Sequence, residues 1–234
     1  MNVHAILPAA GLGTRMATPG SSAKQFLSLG GVPILIHSVR AFADKANITS
    51  ITIAVRASEV EHVATQLNHY GLAGRVAIVT GGETRQETVA AALSTLDAQP
   101  GDIVLVHDAV RPLVDAPTIE RTIEAIARHG AAIAGIPAID TIKQVDRTAD
   151  GAIITATIPR ERIVLAQTPQ GARYADLQRA FDEAAADSFT GTDEASLLER
   201  AGISVAVVLG TPANLKITQP GDLELAQFYL NQRG

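Results

Sequence analysis

Short β-branched, apolar runs recur along the chain at residues 3–7, 51–55, 76–80, 103–107, 131–136 and 205–209. Most are separated by stretches whose apolar positions recur at the spacing of one helical face. Strands alternating with helices predict a mainly parallel α/β sheet. Local signals support the helices between them. Ser58-x-x-Glu61 and Thr84-x-x-Glu87 both fit the capping box, Pro33 and Pro117 suit a first helical turn, and Gly71, Gly130 and Gly202 stand where helices would stop.

One region breaks the rhythm. Residues 140–157, DTIKQVDRTADGAIITAT, hold two β-rich pieces around Asp150-Gly151, a hairpin signal inside an alternating chain. The expectation is an arm, about residues 139–162, inserted into a single domain that spans residues 1–234. An isolated hairpin is marginal in water, so this one must pack on something else. A second subunit is the first candidate, and its own domain the second.

Bulk composition narrows the classes. The 234 residues are 47% hydrophobic and 18% charged, enough for one substantial core. A formal net charge of −5 supplies no basic footprint for nucleic acid. There is no cysteine, which removes disulfides and thiol catalysis and suits a reducing cytoplasm. No signal-peptide pattern and no uncharged run of spanning length are present, so no membrane is expected as a partner.

The candidate chemistry begins after the first run, in LPAAGLGTRMATPGSSAKQF. Gly11-x-Gly13-x-x-Met16 lacks the third glycine of a dinucleotide fingerprint, and no Gly-Lys-Ser/Thr follows at Walker spacing. What remains is a strand end, a turn whose amides can face an anion, and then Arg15 and Lys24. A second turn, Gly81-Gly82-Glu83-Thr84-Arg85, follows another strand and precedes a helix, with Arg85 and Thr88 as its binding candidates. Two such loops at the carboxyl edge of one parallel sheet can converge on one nucleotide. Asp108, directly after the fourth run, is the choice for a divalent ion, because magnesium prefers hard carboxylate and phosphate oxygens. An ion pair with Arg111 explains the same two residues without a ligand. Thr192-Asp193 reads by default as an N-cap, Lys216 as a strand lysine reaching solvent, and His62 with His69 as a solvated helix face.

Taken in order, PAAGLGTRM, KQF, GGETRQETV, VHDAVRP, DTIK, TPQG, TDEASL and NLKITQPGDLELA form a set that resembles the 2-C-methyl-D-erythritol 4-phosphate cytidylyltransferase family over nearly the whole chain. The resemblance implies a Rossmann-like nucleotidyltransferase fold, mainly a parallel sheet flanked by helices, with the arm clasping a partner in a homodimer. It implies transfer of CMP from CTP to methylerythritol phosphate with release of pyrophosphate, assisted by Mg²⁺ or another divalent cation. Ala9, Ala10, Gly11 and Gly13 would then meet CTP through backbone, with Glu83 and Thr88 toward cytosine and ribose. Arg15 and Lys24 would hold the phosphates. Asp108 and Arg111 would lie between nucleotide and acceptor, while Thr141, Arg160, Thr168, Thr192 and Lys216 would position the acceptor. Thr141 and Arg160 would come from the neighbouring subunit, and Arg15, Lys24, Arg160 and Lys216 would carry the catalysis. Ribitol phosphate as acceptor is the nearest alternative, and a regulator that binds nucleotide without catalysis is another. An NAD-dependent oxidoreductase is disfavoured by the missing third glycine.

Overall fold

The structure, a computed structural model, describes residues 1–11 and 23–233. Its centre is a seven-stranded sheet built from β1 (Val3–Pro8), β4 (Ser50–Val55), β5 (Val76–Thr80), β6 (Ile103–Val106), β7 (Ala131–Pro137), β10 (Val164–Arg173) and β11 (Ala206–Leu209). The spatial order is β11-β7-β10-β6-β1-β4-β5. Two short strands, β2 (Ser28–Leu29) and β3 (Val32–Pro33), pair apart from it. All six runs expected from the sequence are present as strands, within a residue or two at their ends.

Six of the seven strands point the same way, and β10 runs against both β6 and β7. The apolar pattern did not predict β10, because its first three residues are exposed and its centre, Gln167-Thr168-Pro169-Gln170, is polar. Its register shifts between Ala166 and Gln170, so Thr168 and Pro169 sit in an irregularity rather than in the ladder. That is where a strand tolerates proline.

Helices cover both faces of the sheet. Val3, Ala5 and Leu7 of β1 pack with α1 (Ile34–Ala43), α2 (Val60–His69) and α4 (Ala116–His129). Ile6 turns to the opposite side, toward α3 (Arg85–Leu93), α5 (Tyr174–Ala186) and α6 (Glu194–Arg200). Burial on both faces explains why the central strands read as near-continuous apolar runs. A smaller cluster joins Leu29, Ile34, Leu113 and Ile217 to α7 (Pro220–Asn231). Among the described residues no helix is long and apolar enough to cross a membrane.

The helix signals were legible with one exception. Thr84 accepts from Glu87 N and Glu87 returns the bond to Thr84 N, a complete capping box. Pro117 lies in the first turn of α4 behind the Asp115 cap, while Pro33 stands one residue before α1 as its N-cap. Gly71, Gly130 and Gly202 follow helices with φ of 71°, 93° and 74°, conformations that a Cβ disfavours. Ser58 is the correction: a 3₁₀ turn at Ala57–Glu59 absorbs it, and α2 starts behind Glu59 with no side-chain cap.

The arm is a hairpin of β8 (Ile142–Thr148) and β9 (Gly151–Ile158), which pair with each other and with no other strand. Its apolar residues lack a core, with Ile153 and Ile154 63% and 60% exposed.

The reversed strand is held against β6 at Gly171, where an added Cβ would stand 2.1 Å from the Val104 carbonyl oxygen. Backbone cannot yield as a side-chain tip does. Gly171→Ala is therefore expected to destabilise the protein by about 1–3 kcal/mol, the usual range for overpacking. Urea denaturation checks this as a lowered midpoint at unchanged m-value.

Candidate active site

The carboxyl ends of β1 and β5 carry the two glycine-bearing turns. After β1 the Ala9 amide continues the ladder to Ala54 O at 2.7 Å, and two side chains then hold the loop carbonyls. Gln25 Nε2 donates to Ala9 O and Arg56 Nε to Ala10 O, each at 2.9 Å. With both carbonyls held, the backbone here is fixed before any ligand arrives. After β5, Gly81 and Gly82 fold tightly over α3: a Cβ at Gly82 would stand 2.4 Å from Glu87 Cβ, and one at Gly81 2.8 Å from Thr88 Cγ2. The Thr88 hydroxyl donates to Thr84 O at 2.7 Å and keeps an acceptor lone pair.

These turns line one cavity, which brings together Ala9, Ala10, Gly11, Lys24, Glu83 and Thr88 from the nucleotide set. Arg15 and Gly13 lie outside the described residues. A neighbouring cavity is lined by Arg111, Thr168 and Thr192 from the acceptor set, with Gln167, Gln170 and Asp193. Arg85, Asp108 and Lys216 line both cavities and form the wall between them.

That wall is an ionic cluster around one buried carboxylate. Asp108 Oδ1 receives Arg85 Nε at 3.1 Å, while Oδ2 faces Lys216 Nζ at 2.8 Å and Arg111 Nε at 3.6 Å. Arg85 in turn grips Glu194 with both terminal nitrogens, at 2.7 and 2.9 Å. Burial alone would raise the Asp108 carboxyl, but the Arg85, Lys216 and Arg111 charges outweigh it and hold the group well below the usual carboxylate range. For Arg85 burial acts to weaken the cation, and Glu194 and Asp108 more than reverse this. Three cations against two carboxylates leave the wall one net positive charge, the sign that a meeting of phosphates requires.

Asp108 is oriented from behind. His107 Nε2 lies 3.0 Å from the Arg111 carbonyl, which can only accept, so that nitrogen carries the proton. Nδ1 then accepts from the Thr168 hydroxyl at 2.9 Å, and the same oxygen accepts the Asp108 amide at 3.1 Å. Burial pushes the His107 pKa down to about 4, against smaller opposing contributions from its hydrogen bonds and Asp108, so the ring stays neutral near pH 7.

The sequence model of the 2-C-methyl-D-erythritol 4-phosphate cytidylyltransferase family matches residues 3–232. The chain belongs to this family. A cytidylyltransferase of that name from Acidobacterium capsulatum is 62% identical over 237 residues, covering 100% of this chain and 99% of the relative. One from Solibacter usitatus is 48% identical, covering 99% and 97%. The crystal structure of the Francisella tularensis cytidylyltransferase superposes with a TM-score of 0.82 at 35% identity, covering 97% of this chain and 99% of that one. The protein is thus a nucleotidyltransferase, and the Rossmann-like α/β fold expected from the resemblance is the one observed.

Among the described residues, the cytidylyltransferase brings most of its expected site together, with two exceptions. Thr141 stands exposed before β8, and Arg160 donates to Ile139 O at 2.7 Å at the base of the arm. Neither lines the two cavities.

Asp108 is also the residue that the sequence suggests for a divalent ion. Both its oxygens are engaged by cations, and a divalent ion placed there would face Arg85, Arg111 and Lys216 at close range. Among the described residues no group of three or more histidine and acidic side chains is placed to hold an ion. The surroundings of Asp108 therefore do not fit a divalent ion bound directly to its carboxylate. Lys216 is also corrected: it lies on irregular backbone rather than a strand, and its ammonium is bound to Asp108 while the side chain stays partly exposed.

Sequence reasoning assigned no role to Glu194, His107, Gln25 or Arg56. Glu194, His107 and Gln25 sit inside quoted motifs and Arg56 directly follows the second apolar run, but an acid in a first helical turn or a histidine ending an apolar run carries no local signature of burial. Asp193, by contrast, is the N-cap that Thr192-Asp193 suggested, and His62 and His69 are exposed.

A buried neutral histidine has a signed consequence for stability. Between the folded pKa near 4 and the unfolded value near 6.5, the unfolded chain binds the extra proton, so this contribution is complete above 6.5 and is lost as pH falls toward 4. Wild type should lose stability relative to His107→Gln by about 1.4 kcal/mol per pH unit below 6.5, read by urea denaturation between pH 7 and 5. A gap independent of pH would show that His107 already takes up its proton in the folded state.

Proposed function

We propose that this cytidylyltransferase carries out its reaction across the Asp108 wall. CTP occupies the cavity between the β1 and β5 turns, and methylerythritol phosphate occupies the cavity beside Thr168 and Thr192. One observation carries the reading: Arg85, Asp108 and Lys216 belong to both cavities, so the two anions meet at a shared, net positive boundary.

An oxygen of the acceptor phosphate attacks the α-phosphorus of CTP, and a new P–O bond forms. The bond from the α-phosphorus to its bridging oxygen breaks, and the electron pair leaves with pyrophosphate. The attacking phosphate is ionised at neutral pH, so no general base is needed. The barrier lies in bringing two anions into line and stabilising the charge that develops between them. Lys24 and Arg15 serve the nucleotide phosphates, and Lys216 and Arg160 the acceptor. Arginine offers a bidentate fork to phosphate and lysine a point charge. Glu83 and Thr88 face the base and ribose. Mg²⁺ or another divalent cation belongs to this proposal, and would supply further neutralisation of the phosphate charge.

The active unit is a homodimer in this reading. The arm leaves Val145, Ile153 and Ile154 exposed and pairs only with itself, and a second copy supplies the surface that such a hairpin needs. The arm would then carry Thr141 and Arg160 to the acceptor cavity of the neighbouring subunit. A cytoplasmic location, suited to a chain without cysteine, belongs to the same proposal.

Pyrophosphate release with CTP and Mg²⁺, offering methylerythritol phosphate and ribitol phosphate in turn, tests the reaction. Rapid release with the former alone is expected; preference for the latter would reassign the acceptor, and no release with either would sink the reading. Lys24→Ala should lower kcat by about 10²-fold or more while changing the KM for CTP far less. An unchanged kcat would remove Lys24 from the chemistry. Mixing Arg160→Ala chains with Lys216→Ala chains should restore activity in heterodimers, since one of the two composite sites then has both residues intact. Heterodimers that form and stay inactive would exclude a shared site.

A further inference from the structure

Arg85 opens α3 directly behind the Gly81-Gly82 turn, where sequence alone suggests a residue that grips the nucleotide. Its contacts give it a different task. Both terminal nitrogens are turned onto Glu194, which is 1% exposed, and Nε is turned onto Asp108. The guanidinium is thereby held between two carboxylates instead of facing a phosphate. A cation at the first turn of a helix also opposes the helix dipole, so this placement depends on the acids around it.

The far end of the chain of contacts is what matters for transfer. Glu194 holds Arg85, Arg85 holds Asp108 Oδ1, and Asp108 Oδ2 holds the Lys216 ammonium at 2.8 Å. Lysine is a point charge on a flexible stem, and its position is only as defined as the anion that fixes it. A staple between α3 and α6 would need only the Arg85–Glu194 pair. The further contact to Asp108 ties that pair to the wall shared by the two cavities.

We propose that the Glu194–Arg85 pair is a positioning device: it holds the Asp108 carboxylate, and through it the Lys216 ammonium, at the wall shared by the two cavities. The inference rests on the reading that nucleotide and acceptor meet at that wall. Glu194 is buried behind that wall, and Arg85, whose guanidinium is turned onto the two carboxylates, acts through Asp108.

Three variants separate positioning from folding: Arg85→Gln, Glu194→Gln and the two combined. Each is followed by thermal melting and by pyrophosphate release, with kcat and both KM values measured below the melting range. Arg85→Gln leaves a buried charge on Glu194 without its partner, so melting temperature and kcat should both fall. In the combined variant that charge is gone. The melting temperature should recover toward wild type while kcat stays about tenfold or more below it, with the KM for CTP within about threefold. Should Arg85→Gln fail to fold, the combined variant alone carries the comparison. A kcat that recovers together with the melting temperature, or a loss confined to the KM for CTP, would overturn the positioning role. Wild-type turnover in the same assay distinguishes the two readings. An inactive wild-type chain counts against the substrates, whereas a wild-type kcat in the combined variant counts against the device.

Discussion

A single carboxylate, Asp108, organises the site. It stands two residues beyond the end of the central strand β6, buried, and it meets Arg85, Arg111 and Lys216 from three separate parts of the chain. Three cations so close together repel one another, and removing the carboxylate would leave them without compensation in a medium of low dielectric. The acid lets the fold gather positive charge at one point and still bury it. The neutral His107 and the Thr168 hydroxyl hold the Asp108 backbone without adding charge of their own.

The sheet sets where that carboxylate stands. β1, β4, β5 and β6 run parallel, so their carboxyl ends form one edge, and the turns after β1 and β5 meet there beside Asp108. The loop carbonyls are held by Gln25 and Arg56, and the glycines at 81 and 82 allow the backbone to approach α3 where a Cβ would clash. Such preorganisation reduces the reorganisation that the chemical step would otherwise require.

Much of this was legible in the sequence. Parallel strands buried on both faces announce themselves as apolar runs, and caps such as Thr84 and Asp193 act within four residues of chain, so local pattern sufficed for them. The motif set located nearly every cavity residue because it samples each strand end in turn. Three features stayed hidden for a common reason. The reversed strand β10, the pairing of Lys216 with Asp108 and the burial of Glu194 all depend on partners far away in sequence, and Arg85 and Glu194 are 109 residues apart. Ser58 misled because the capping pattern does not distinguish a 3₁₀ turn from the first turn of an α-helix.

The reversed strand divides the site by construction. The first cavity is made from parallel strands and the short turns that follow them, whereas Thr168 and Gln170 in the second come from the irregular centre of an antiparallel strand. A substitution in that irregularity alters the lining of the second cavity at a place outside the register of β1, β4 and β5. The second cavity is thus the part of the site whose lining can change by side chains alone, with Thr168 as its fixed point because that hydroxyl also holds Asp108.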